Sequence, residues 1–350
     1  MTDCGANDFQ LMKRKDCFMK NCEQMHKKRH ISVFFAADER YIKYLAVALA
    51  SLSRFAKDEY QYDVRILSEG FSHRGACRLR DMVKPNVKIT VCDMEKRISN
   101  LRESLTFRLR DYYSEAIYYR MFIPSMFPEL KKAVYLDADI VLNRDVADLF
   151  LTDIGDNLIG AVTDESVITV PVFRDYVKRQ IGIGEPEEYF NSGVLLMNLD
   201  AMRKERIEEK FLHLLTRYNF NTVAPDQDYL NFLCRGKLQY LPCGWNKHAI
   251  EGRDIPKSRL YLIHFNMFNK PWHYDRVPME KLFWDNARLT PFYEELIEAK
   301  RDYSENEQKK DTEAAKRLLS LAEKIYTSDR SISETVYEGF FDMALGSSIL

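Results

Sequence analysis

Asp137-Ala138-Asp139 closes the apolar run Ala133–Leu136, and it is the strongest chemical signal in the chain. Carboxylates at i and i+2 leave an extended segment on one side, so both can point at a single cation. Negative charge concentrated at the end of a strand is costly unless a metal or a partner neutralises it. Hard oxygen ligands in this arrangement suit Mn²⁺ or Mg²⁺, above all when phosphates complete the octahedron. A plainer role for the same pair is to cap a following turn or helix. His264 ends the run LYLIHF, with Lys270-Pro271-Trp272 just downstream. An imidazole can supply a third ligand to a cation that two carboxylates begin to bind. A nearby lysine can set its ammonium on a phosphate as a point charge. The alternative is a structural histidine followed by an incidental surface lysine.

Two further groups of residues have chemical potential. In FFAADERY, small Ala36 and Ala37 after a strand would let a flat base approach the backbone. Asp38 can accept hydrogen bonds from a base or ribose, and Tyr41 can stack on a ring; an ordinary capped turn reads the same way. Asp226-Gln227-Asp228 opens a helix, with Tyr189-Phe190-Asn191-Ser192-Gly193 upstream. Acids in a helix's first turn are favoured by its dipole alone. Their functional reading is a set of polar groups converging on a hydroxyl-rich substrate.

The elements that must position these residues follow from patterning. ISVFFAA, YDVRILS and VKITVCD read as strands, with helices between them over Asp38–Phe55 and Ser72–Val83. Asp38 stands where an N-cap belongs. A helix over Tyr112–Met126 precedes the apolar AVYLDADIVL, and LIGAVT, SGVLLMNL and LYLIHF are further strands. Helices are expected over Asp200–Tyr218 and Asp226–Cys234, and through EELIEAK and EAAKRLLSLAEKIY. This is the rhythm of βαβ units on a largely parallel sheet. Such sheets bind ligands at the carboxyl ends of their strands. That rule points to Ala36–Arg40, Asp137–Asp139, Asp164 and the residues from His264 onward.

Composition excludes several classes. The 350 residues carry 52 Lys and Arg against 53 Asp and Glu, a net charge of −1. That balance lacks the cationic excess of a nucleic-acid binder. The longest run free of these charged residues, Tyr189–Leu199, is too short for a membrane span, which needs about twenty residues. The N-terminal stretch has no secretory h-region. Seven scattered cysteines without a C-x-x-C pair read as reduced thiols, hence a cytoplasmic protein. Lys13–His30 gathers seven Lys and Arg against two acids. It is either a solvated extension or a basic arm for an anionic membrane surface, which would place the protein peripherally on the inner membrane face. The closing ETVYEGFFDMALGSSIL, with Phe340-Phe341, is apolar enough to dock on something.

FFAADERY, YYRMFIP, VYLDADIVL, YFNSGVLLMNL, DQDYLN and HFNMFNKPWH, in this order from Ile31 to Trp284, resemble glycosyltransferase family 8. Those are retaining, metal-dependent nucleotide-sugar transferases of the GT-A fold, among them bacterial galactosyl- and glucosyltransferases. The resemblance implies an α/β fold with one Rossmann-like mixed sheet flanked by helices, and a helical C-terminal extension. The change of texture at Ile31 and the charged, helix-prone stretch beyond Trp284 divide the chain into a basic extension over 1–30, a catalytic domain over 31–285 and helices over 286–350. The resemblance implies transfer of glucose or galactose from a UDP-sugar to a saccharide or lipid-linked acceptor. By position, Ala36, Asp38 and Tyr41 would line the uridine pocket and Arg120 would sit over the donor. Asp137, Asp139 and His264 would hold Mn²⁺ (or Mg²⁺) against the diphosphate, with Lys270 on a phosphate oxygen. Asp164, Asn191, Asp226 and Gln227 would surround the sugar.

Two departures stand out: Arg40 falls where the family often has Asn, and Met267 where many members have Gly near the diphosphate. They leave room for a catalytically silent UDP-sugar binder on the same fold. YLDADIV also resembles the nucleophile motif of haloacid-dehalogenase-type phosphotransferases, but there the motif follows the first strand of the domain. The acceptor would be met by residues from His248 to the end, where no motif is readable. Retention is open to a covalent intermediate or to attack from the leaving-group face. An amide is a poor nucleophile, so Gln227 favours the second, with the leaving phosphate as base.

Overall fold

A computed structural model describes residues 28–102, 115–328 and 330–336. All but the last three residues of the basic segment Lys13–His30, and the tail bearing Phe340-Phe341, lie outside the described residues. Among the described residues, ten strands form two sheets. They are β1 (Arg29–Ala36), β2 (Tyr60–Ser68), β3 (Val87–Asp93), β4 (Lys132–Leu136), β5 (Ile140–Leu142), β6 (Ile159–Thr163), β7 (Phe190–Asn198), β8 (Leu238–Tyr240), β9 (Lys247–His248) and β10 (Leu262–His264). The main sheet runs β3-β2-β1-β4-β7-β6-β8 and the small one β5-β10-β9.

β4 is the central strand, parallel to β1 and antiparallel to β7. β7 is also antiparallel to β6. The carboxyl ends of β1, β4 and β6 therefore share one edge with the start of β7. That single fact of direction gathers Ala36, Asp137, Asp164 and Asn191 from four distant stretches of chain. The sheet is mixed, flanked by helices on both faces, and its strands are apolar because both faces are covered. One core cluster holds Val33, Phe35, Leu45, Leu49 and Leu136; a second holds Phe34, Tyr135, Leu195, Phe211 and Tyr229; a third gathers Tyr44, Ile263, Phe265 and Trp272.

AVYLDADIVL reads as one strand but is two. After β4 the chain leaves the main sheet through Asp137–Asp139, and β5 pairs antiparallel with β10, His264 opposite Ile140. The N–H of Leu142 donates to Ser51 Oγ at 2.9 Å, tying β5 to the helix Ile42–Phe55. This change of sheet is what sets His264 beside Asp139.

Other elements differ from the pattern in instructive ways. The expected helix Asp200–Tyr218 breaks into Leu199–Lys204 and Ile207–Arg217, because Arg206 adopts φ 55°. The first part of Tyr112–Met126 is outside the described residues. The rest winds as a 3₁₀ turn over Glu115–Phe122 and a short helix Ile123–Met126, with Pro124 in its first turn; a proline disfavours a continuous α-helix leading into it. The helices Tyr293–Arg301 and Glu305–Ser328 form where expected. The longer one buries Leu318, Ala322 and Ile325 in the core cluster that contains Tyr176 and Val177. Among the described residues, no helix is long and apolar enough to cross a membrane, and Cys77, Cys92, Cys234 and Cys243 are free thiols.

Candidate active site

Two backbone hydrogen bonds hold the D-x-D hinge in place: the N–H of Asp137 donates to the Gly193 carbonyl at 2.8 Å, and the N–H of Phe265 donates to the Asp139 carbonyl at 3.0 Å. They bring one ligand atom each of Asp137, Asp139 and His264 within 4.8 Å of one another. His264 Nε2 lies 3.2 Å from Asp139 Oδ1 and 3.8 Å from Asp137 Oδ2. Gly193 makes the space between them. A Cβ there would collide with His264 Cε1 and lie 2.6 Å from Asp137 Oδ2. The pairing of β6 with β7 jumps from Leu195 to Asn191 around this glycine, the kind of irregularity that re-aims residues beside a site.

Arg120 is buried against the cluster. Its guanidinium donates to Asp137 Oδ1 at 2.9 Å and Ser192 Oγ at 3.0 Å, and its Nε faces Asp226 Oδ2 at 3.2 Å. The ring of Tyr135 lies 4.2 Å from its Cζ, and the Tyr135 hydroxyl also donates to Asp137 Oδ1. Burial opposes the charge of Arg120, yet Asp137 and its other neighbours hold its pKa above the ordinary value. Lys270 pairs with Asp139 and donates to the Phe265 carbonyl. Burial likewise opposes the charge of Asp139, but Lys270 and His264 hold it well below the usual carboxylate range.

Trp272 has a different job from Lys270. It is 1% exposed and stacks on Tyr44 with centroids 4.2 Å apart, anchoring the loop that carries the lysine. Trp272→Ala should cost about 3–5 kcal/mol in urea melting; a cost near zero would contradict this packing role.

Asp164, after β6, accepts from Asn191 Nδ2 at 2.9 Å and Gln227 Nε2 at 3.0 Å through Oδ2, and from the N–H of Ser166 through Oδ1. Burial opposes its charge, but His248 and these donors hold Asp164 below its ordinary value. Gln227 Oε1 accepts the N–H of Ser192 at 2.8 Å. Asp226 accepts from Ser192 Oγ at 3.0 Å, and burial pushes its pKa up despite Arg120. Asp228 is turned away: it accepts from the hydroxyls of Tyr176 and Tyr189, both at 2.7 Å, and burial pushes it up to about 6.

Asp38 caps the turn Glu39–Tyr41, its Oδ1 accepting the N–H of Tyr41 at 3.1 Å, and Arg40 holds the other oxygen at 2.7 Å. Met267 keeps the left-handed backbone that favours glycine, φ 63°, at a steric cost of about 1–2 kcal/mol. Its N–H donates to Asn266 Oδ1 at 2.8 Å.

A cavity of about 340 Å³ joins these groups. Of the twelve residues singled out in the sequence, its lining includes Ala36, Asp38, Tyr41, Arg120, Asp137, Asp139, Asp164, Asn191, Asp226, Gln227 and Lys270. His264 reaches the cluster from behind. Sequence reasoning missed Asn246, which bonds both His264 and Asn191, and a wall of His273, Asp311 and Leu318. Asp311 accepts the hydroxyls of Tyr274 and Tyr303. For Asn246 the available signal was a polar residue directly after Trp245; for Asp311 no spacing marks it among the charges of its helix.

The donor set fits a divalent cation. Six carboxylates line the cavity, on Asp38, Asp137, Asp139, Asp164, Asp226 and Asp311, against the cations of Arg120 and Lys270. Negative charge is in excess there, and the oxygens of Asp137 and Asp139 share their space with an imidazole nitrogen.

Comparison with known proteins agrees with this architecture. The family model described as glycosyl transferase family 8 matches residues 32–276. A lipopolysaccharide 1,2-glucosyltransferase of Escherichia coli (strain K12) is 25% identical over 73% of this chain and 78% of its own. The solved galactosyltransferase LgtC, in complex with donor and acceptor sugar analogues, superposes with a TM-score of 0.58 at 24% identity, over 75% of this chain and 96% of its own. The apo structure of the bifunctional glycosyltransferase WbbM gives 0.67 at 23% identity, over 78% of this chain and 52% of its own.

Proposed function

Because the chain belongs to glycosyl transferase family 8 and is a glycosyltransferase of the GT-A fold, we propose that it moves a hexose, glucose or galactose, from a UDP-sugar to a saccharide or lipid-linked acceptor with retention, using Mn²⁺ held by Asp137, Asp139 and His264. The observation that carries this reading is the convergence of those three side chains, one ligand atom of each within 4.8 Å of the others, at the cavity that Asp137 and Asp139 line. The phosphotransferase reading falls with the family assignment.

A divalent cation bound there offsets the charge that grows on the diphosphate as the glycosidic bond breaks. Arg120 and Tyr135 orient Asp137 through hydrogen bonds to the same oxygen. Lys270 lies within reach of Asp139 and, on this reading, meets a phosphate oxygen in a water-poor site where such contacts gain strength. Ala36, Asp38 and Tyr41 shape the nucleoside end. Asp164, Asn191 and Asp226 offer acceptors and donors to the sugar hydroxyls. Both ends of the Gln227 amide are engaged, by Ser192 N–H and by Asp164. That favours attack from the leaving-group face, with Gln227 as an electrostatic support and the leaving phosphate as base. A cytoplasmic location, peripheral where the acceptor is lipid-linked, belongs to the same proposal.

The test is release of UDP from UDP-glucose, UDP-galactose and UDP-N-acetylhexosamines, with Mn²⁺ or with a chelator. One UDP-hexose should turn over about 10²-fold or more faster with Mn²⁺, the size expected of several kcal/mol of charge stabilisation. Turnover that ignores Mn²⁺ overturns the metal assignment. Thermal stabilisation by UDP and Mn²⁺ without turnover of any donor points instead to a silent binder, the reading that the Arg40–Asp38 pair supports.

A further inference from the structure

A chain of amide hydrogen bonds runs from Asp164 to His264, and every link has only one consistent direction. Asp164 is ionised and can only accept, so Asn191 presents Nδ2 to it, at 2.9 Å. Asn191 Oδ1 then faces the other way, where it accepts the N–H of Gly193 at 3.0 Å. A backbone N–H can only donate, which fixes the same orientation independently. Asn246 must therefore turn Nδ2 toward Asn191 Oδ1, 2.9 Å away. Its own Oδ1 is left against His264 Nδ1 at 2.9 Å. An amide oxygen accepts only, so Nδ1 carries a hydrogen, and Nε2 is the nitrogen turned toward the two aspartates. Asp139, 3.2 Å from Nε2, pulls the opposite way, since a carboxylate would rather accept from an Nε2–H.

We propose that Asn246 is the positioning residue that holds His264 in the Nδ1–H tautomer, so that Nε2 is offered as a ligand instead of being spent as a donor to Asp139. The inference rests on the reading of Asp137, Asp139 and His264 as a divalent-cation site. It adds that the sugar-facing Asp164 and the cation-facing His264 are set by one relay, in which Asn246 and Asn191 are the two switchable parts. Asn246 is buried, so water does not compete for these bonds. Partners of this kind commonly change metal affinity 10–100-fold.

The test uses the full-length protein with ¹⁵N-labelled histidine, metal-free, above the ordinary imidazole titration range, with His264 assigned by loss of its signals in His264→Gln. Wild type should show a protonated Nδ1 and an unprotonated Nε2. Asn246→Leu removes the acceptor, and the tautomer should switch to Nε2–H; Mn²⁺ affinity, read as free Mn²⁺ by electron paramagnetic resonance, should fall 10–100-fold. Asn246→Asp restores an acceptor for Nδ1–H, so tautomer and Mn²⁺ affinity should return to within a few-fold of wild type. Its donor turnover should stay low, because Asn191 has lost the N–H that oriented it. An Nε2–H tautomer in wild type overturns the proposal. So does equal loss of Mn²⁺ affinity in the Leu and Asp variants, which is the signature of a merely structural residue. If wild type has the Nδ1–H tautomer and binds no Mn²⁺, the cation-site reading fails while the assignment of the tautomer to Asn246 stands.

Discussion

Asp139→Asn should remove Mn²⁺-dependent turnover of the UDP-sugar by about 10³-fold or more while leaving the fold in place. The carboxylate lies at the crossing of every relevant contact: His264 Nε2 at 3.2 Å, the ammonium of Lys270, and the hinge whose backbone carries β4 into β5. An amide of the same shape keeps the backbone bond from Phe265 but loses one full negative charge toward a cation. Each group aimed at developing charge is worth about 10²–10³ in rate in a water-poor site, and loss of a cation ligand also empties the site at working concentrations. Lys270 retains the Phe265 carbonyl, so its ammonium is not left without a partner. Steady-state UDP release, Mn²⁺ titration and far-ultraviolet circular dichroism separate the effects. Unchanged turnover in a folded Asp139→Asn protein removes the metal hypothesis.

Gly193→Ala is the second large effect, and it is steric. The added Cβ would collide with His264 Cε1 and stand 2.6 Å from Asp137 Oδ2 and 3.0 Å from Asn191 Oδ1. None of these atoms is free to yield. His264 is held by Asn246, Asp137 by Arg120 and Tyr135, and Asn191 by Asp164. The backbone of Gly193 is pinned as well, its carbonyl accepting from Asp137 N–H and its N–H donating to Asn191. The methyl group must therefore push the ligands apart, with about 1–3 kcal/mol of overpacking cost and a loss of Mn²⁺ affinity of about 10–100-fold. Calorimetric melting and Mn²⁺ titration measure the two parts. A variant with wild-type affinity would mean that the three ligands do not share the space this glycine leaves open.

How much of this was legible depended on whether a residue's role is local. D-x-D after an apolar run, Asn191-Ser192-Gly193 and Asp226-Gln227 are short patterns at strand ends or a helix start; β-sheet direction gathers the first two, and hydrogen bonds to Ser192 and Asp164 join the third to them. The split of AVYLDADIVL between two sheets was not legible, because the seven apolar residues around the motif suit one strand as well as two. Its cause, the pairing of Ile140 with His264, lies more than a hundred residues downstream in the sequence. The guanidinium of Arg120, at the cavity wall, is buried among Asp137, Ser192 and Asp226. Sequence marks an arginine but not the depth of its side chain. Asn246 escaped notice for a similar reason: its value comes from what both ends of an amide touch. The helix break at Arg206 had no Gly or Pro to announce it, since an arginine at φ 55° is uncommon.

The hinge between β4 and β5 has a mechanical corollary. Its aspartates belong to a segment that leaves the main sheet and enters the small one, and the histidine belongs to the small sheet alone. A ligand grasping all three acts as a rivet through the seam between layers, and its free energy of binding is at the same time cohesion across that seam. Loosening of the β5-β10-β9 layer and escape of the bound group are thus one event seen from two sides.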